Sequence, residues 1–206
     1  MKPHKRIRSR LAAGLALLSS TLPLAAHPGH YHPPGEVDEF DSFAAGFAHP
    51  LAGADHALLA IAIGWLLLSR LSRPVIIHAI TFLAALCGGA LLGRAFGAAP
   101  GMEVALAGTV LCSAILFMPH TRPRSAVLLS VASLAGLVHG LAHGAEAAPG
   151  VAFIPYIAGM LAGTAVLLGA GSLLGHASAL VRGTLPPRIA GTTLFVAGTA
   201  FLLQAI

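Results

Sequence analysis

Two short stretches hold most of the side chains able to do chemistry. The first, HPLAGADH, carries His49, Asp55 and His56; the second, HGLAHGAE, carries His139, His143 and Glu146. Imidazole nitrogens and carboxylate oxygens offer lone pairs to a divalent transition metal without redox chemistry of their own. At about 100° per residue, His143 lies about 40° from His139 on a helix, and Glu146 about 20° away on the other side. All three therefore share one narrow face. His49 and His56 come within about 20° of each other if their helix is continuous, with Asp55 about 100° from His56. Pro50 removes a helical hydrogen bond and Gly53 loosens the chain, so a break at Pro50 is predicted. A broken span exposes backbone carbonyls as further oxygen ligands. The alternative for the second stretch is a set of interhelical hydrogen bonds, with Glu146 an exposed boundary carboxylate.

Both stretches run straight into apolar sequence, and the whole chain explains why. Of its 206 residues, 56% are hydrophobic and only 9% charged. A soluble domain carries about 25% charged residues. Too little polar surface remains to coat a water-soluble globule, so the expected class is an all-α integral membrane protein. Ionisable groups inside spans are costly and usually mark a pathway or a site. Two more belong with the first six: His78 in the second apolar segment and Glu103 in the third. They are expected at different depths, one at the main site and the other along the route, or with Glu103 as a boundary carboxylate.

The elements that must position these groups are six apolar segments, near 43–69, 74–97, 101–118, 125–145, 151–175 and 188–206. They are predicted to form a six-helix transmembrane domain over 43–206, since lipid forces backbone polar groups to pair within a segment. The N-terminus reads as targeting. Lys2, Lys5, Arg6, Arg8 and Arg10 precede a short apolar run that ends in small residues, giving an expected signal peptide over 1–26, cleaved after Ala26. Residues 27–42 form a His/acid-rich exported tail, with His27, His30 and His32 among prolines and glycine. It is either a metal collector or a solvated leader.

Arginine placement gives the orientation. With the tail exported, the cytoplasmic gaps hold Arg70, Arg73, Arg122, Arg124, Arg182 and Arg188, against Arg94 outside. That bias follows the positive-inside rule and places both mature termini in the periplasm. The net charge of +5 comes from the leader, because the remaining arginines balance the acids; no nucleic-acid partner is expected. Gly136, Gly140 and Gly144, with Gly89/Gly93, Gly159/Gly163 and Gly171/Gly175, have the spacing that lets helices approach closely. Cys87 and Cys112 form no CxxC pair and read as packing residues. Segments 1 and 4 run in opposite senses, the form of a 3+3 inverted repeat, although residue identity between the halves is slight.

These motifs resemble the HupE/UreJ family of nickel/cobalt permeases. His49, Pro50, Gly53, Asp55 and His56 fit its HPxxGxDH pattern, and His139, Gly140, Ala142, His143, Gly144 and Glu146 fit its fourth-span pattern. His78 and Glu103 fall where the family has a histidine and a glutamate. The methionine often found a few residues after the first motif is absent from ALLAIAIG, and the HPGHYH tail is not part of the family's core pattern. The resemblance implies secondary uptake of Ni²⁺ or Co²⁺ across a bacterial inner membrane, and a link to hydrogenase or urease maturation. The ion would be a substrate, with no permanently bound cofactor and no enzymatic activity. The bilayer is the other expected partner, and association into a homo-oligomer is left open. The rivals are an intramembrane metalloenzyme and a His-ligated metal- or haem-binding protein without transport. HExxH, GxSxG and a P-loop are all absent.

Overall fold

The computed structural model describes residues 38–68, 73–118, 125–180 and 185–206, all helical apart from short connections and without a strand. Among the described residues seven helices follow in chain order: α1 Glu39–Ala52, α2 Ala54–Leu68, α3 Arg73–Phe96, α4 Met102–Leu116, α5 Ser125–Glu146, α6 Phe153–Leu180 and α7 Leu185–Ala205. The expected signal peptide and the histidines of the expected tail lie outside the described residues. The end of that tail does not. The Asp38 carboxylate accepts a hydrogen bond from the Asp41 N–H at 2.7 Å, capping α1. With Glu39 and Asp41 in a first turn that favours negative charge, the helix starts at Glu39 rather than near 43.

Helices α3, α5, α6 and α7 are each long and apolar enough to cross a membrane. Helices α1 and α2 form a pair bent by 79° and together are apolar enough for one broken span or a re-entrant loop. Helix α4, at 15 residues, is only roughly 22 Å long at 1.5 Å per residue. The gap before the last segment is shorter than expected, because HASAL continues α6 and the next helix begins at Leu185. Pro186 and Pro187 sit in that first turn, where no N–H is needed for an intrahelical bond.

The break itself corrects one expectation. It falls at Gly53 and not at Pro50, which is buried inside α1. Proline forfeits one bond to the preceding turn, but its own φ suits a helix, so α1 continues to Ala52. Gly53 then turns out with φ −80° and ψ 117° while its N–H still donates to the His49 carbonyl at 3.2 Å. Its own carbonyl accepts from the Ala57 N–H at 2.9 Å, starting α2 at once.

Close helix contacts hold the pieces. Along α3 and α5, Phe82 meets Gly136, Leu86 meets Gly140 and Ala90 meets Gly144, so the two helices run parallel. A Cβ at Gly140 would collide with the Leu86 carbonyl, so only glycine allows this approach. The unbroken α6 lies along both halves of the broken span: Gly159 against Phe43 and Gly163 against Phe47 of α1, then Leu168 against Gly64 and Gly171 against Ile61 of α2. It splints the bend. Helices α4 and α7 pack antiparallel, with Leu111 near Gly198 and Phe117 near Gly191. A buried apolar cluster of Leu59, Ile63, Phe82, Val110, Ala135, Leu168 and Leu194 joins six of the helices just beyond the bend.

Candidate metal site

The break at Gly53 places the last turn of α1 and the first turn of α2 side by side. His49 comes from the first, Asp55 and His56 from the second. A carboxylate in the first turn of a half-helix sits at the positive end of its dipole. The α3–α5 contact holds α5 so that His139 and His143, one turn apart, face the same centre. The ring centroid of His56 lies 4.7 Å from that of His139 and 4.2 Å from that of His143. His49 lies 4.6 Å from His143 and 5.9 Å from His56. Four imidazoles from α1, α2 and α5 thus form one cluster, although the broken helix cancels the single-face geometry expected of His49 and His56.

Asp55, His56, His139 and His143 are all buried. The His56 Nδ1–H donates to Asp55 Oδ1 at 2.8 Å. A carboxylate that fixes one ring nitrogen as donor leaves the lone pair on the other, Nε2, for a ligand role. One ligand-type atom from each of Asp55, His56 and His139 lies within 4.8 Å of the others. Ligands about 2 Å from a common ion stand about 3–3.5 Å apart, so a modest inward rotation of side chains would complete coordination. Burying so many lone-pair donors around one carboxylate is costly without a cation to share.

Glu146 stands at the rim, its Oε2 3.9 Å from His49 Nε2. Glu103 approaches the site from α4. It is exposed in the first turn of α4 and lines a cavity of about 190 Å³ with Asp55, Leu106, Phe201 and Gln204. That cavity connects the start of α4 and the end of α7 with the cluster's carboxylate. His78 is buried on α3 but stands apart. The α3–α5 register puts it level with Ala132, about two turns or roughly 10 Å along the axis from His139.

Sequence reasoning missed three contributors. Thr109 Oγ1 contacts His139 Nε2 at 2.9 Å from α4. Tyr156 of α6 is buried with its ring 6.1 Å from that of His49. Gln204 lies at the cavity wall. The available signal was a pair of hydroxyls, Thr109 and Ser113, one turn apart in an apolar span; such residues commonly satisfy themselves on their own helix.

Comparison with known proteins fits this arrangement of motifs. The HupE / UreJ protein family matches residues 15–201. Protein HupE of Rhizobium leguminosarum bv. viciae is 31% identical over 199 residues, covering 95% of this chain and 98% of that protein. No solved structure matches the chain. On the family match and that identity, the chain belongs to the HupE/UreJ family.

Proposed function

We propose that the protein is a secondary permease that takes up a divalent transition metal ion, Ni²⁺ or Co²⁺, through a six-span bundle in the bacterial inner membrane. The observation that carries this is the convergence of His49, Asp55, His56, His139 and His143 on one buried centre. Family membership supports the same activity, since the resemblance implies nickel/cobalt transport. Counting the bent pair and the short α4 as one span each gives six crossings. The parallel pairing of α3 with α5 and of α1 with α6, and the antiparallel pairing of α4 with α7, support alternate threading. Both termini would then face the periplasm, and the arginine-bearing gaps the cytoplasm.

The route follows from what is open and what is sealed. A hydrated ion reaches Asp55 through the cavity at the outer end of α4, where the short helix leaves room beneath the surface. Glu103 at that cavity attracts cations and raises their local concentration. At the cluster, imidazole and carboxylate replace ligand water. Beyond it, Leu59, Ile63, Phe82 and Val110 are almost wholly buried and close the way. An apolar plug of this kind stops an ion until the helices move, which is what a permease requires of a state open to the outside. His78, one turn before Phe82 on α3, is assigned to the exit side. No nucleotide-binding loop is present, so the membrane potential, a gradient or a partner supplies the energy.

Radiolabelled Ni²⁺ uptake into proteoliposomes tests the activity. Saturable accumulation by the wild type, lost in His56→Ala and in His143→Ala at equal protein content, is the expected result. Undiminished accumulation in both variants would remove the cluster from the transport path.

A further inference from the structure

Thr109 is buried in the middle of α4, and its hydroxyl has two close neighbours. The Leu106 carbonyl lies 2.7 Å from Oγ1, and His139 Nε2 lies 2.9 Å from it. A hydroxyl has one hydrogen, and a carbonyl can only accept. The hydrogen is therefore spent on Leu106, and the oxygen faces His139 as an acceptor. Ser113 secures the same turn, its hydroxyl donating to the Thr109 carbonyl at 2.9 Å. On the other side of the ring, His139 Nδ1 is buried without a hydrogen-bond partner among the described residues. A proton on Nδ1 would bury an unsatisfied N–H donor, which costs about 1–3 kcal/mol. Both contacts select the same neutral form.

We propose that Thr109 is a positioning residue for the ion site: it holds His139 as the Nε2–H tautomer, so that the Nδ1 lone pair faces the ion. The assignment rests on the metal reading above and deepens it by naming the ligand atom. His56 and His139 are then oriented by different means. Asp55 backs His56 with a carboxylate, whereas Thr109 backs His139 with a neutral oxygen. A hydroxyl fixes the tautomer as a carboxylate would, but adds no second negative charge to the ion's surroundings. A carrier must release its cargo, and a neutral support keeps the site from holding a dication too tightly.

The test uses the full chain reconstituted in lipid, with Co²⁺ as a spectroscopic probe. Thr109→Val keeps the side-chain shape and removes the acceptor; Thr109→Ser keeps the acceptor. Co²⁺ affinity read from d–d absorption should fall about tenfold to a hundredfold in Thr109→Val, the usual loss when such a support is removed. It should stay within about threefold of wild type in Thr109→Ser, a rescue that lost packing alone would not produce. In the metal-free protein, ¹⁵N-histidine solid-state NMR should show His139, identified by the signal missing in His139→Gln, as the Nε2–H form, with that preference lost in Thr109→Val. An Nδ1–H form in the wild type, or wild-type affinity in Thr109→Val, would overturn the proposal. A wild type that binds no Co²⁺ would instead overturn the metal reading, and the tautomer signal would still decide the role of Thr109.

Discussion

The ring of His56 meets those of the other three imidazoles of the cluster, His49, His139 and His143, and its Nδ1 is held by Asp55. His56→Ala should therefore lower metal affinity at least tenfold, read by titration of the purified protein with Ni²⁺. His78→Ala should leave equilibrium binding within about threefold while slowing transport, because the α3–α5 register sets it roughly 10 Å from His139. Glu103→Gln should raise the KM for uptake several-fold and leave kcat nearly unchanged, since a charge at a cavity mouth concentrates the ion without coordinating it at the cluster. Much of this was legible in the sequence. His139, His143 and Glu146 lie on one continuous helix, where spacing alone fixes their common face. The partners across the site were not, because nothing in the spacing says which span faces which. Thr109 was hidden further, as a hydroxyl in a span usually finds its acceptor one turn back, and this one does so as well.

Among the helices, the bend between α1 and α2 sets the geometry of the site. Gly53 contributes no ligand, yet a Cβ there would stand 2.7 Å from His56 Nδ1 and 3.2 Å from Asp55 Oδ1. Gly53→Ala should push the imidazole off its carboxylate and lower Ni²⁺ affinity about tenfold or more, with folded yield by size-exclusion chromatography little changed. Gly140→Val should act differently. Its side chain would meet the Leu86 backbone on α3, separating the helix pair and costing about 1–3 kcal/mol or more as overpacking does. A lowered unfolding temperature in detergent would register this, with metal binding lost only as the fold is lost. Segment positions were readable because apolar length reports a span directly. The place of the break was not: Pro50 is the stronger sequence signal, but its fixed φ is compatible with the helix it occupies, and the chain turns at the glycine that follows.

For the whole molecule, alternate threading requires the two ends of α7 to face opposite sides. Gln204→Cys should react with a membrane-impermeant maleimide added to intact spheroplasts, and Arg188→Cys only after permeabilisation. Uptake should decline as pH falls, since only neutral imidazole binds the metal and protons compete for the same lone pairs. Composition already pointed to the membrane class, and arginine bias supplies the expected orientation that the labelling tests. The main helix pairings, α3 with α5, the broken span with α6, and α4 with α7, add what they could not. These pairs interchange when spans 1, 2 and 3 are swapped for 4, 5 and 6, as an inverted repeat would have it, although the two halves share little residue identity. Anomalous diffraction from Ni²⁺-loaded crystals decides whether the buried cluster holds the ion. A single strong nickel peak about 2 Å from donor atoms of Asp55, His56 and His139 is expected; no peak at this cluster at saturating Ni²⁺, with nickel bound elsewhere on the chain, would contradict it.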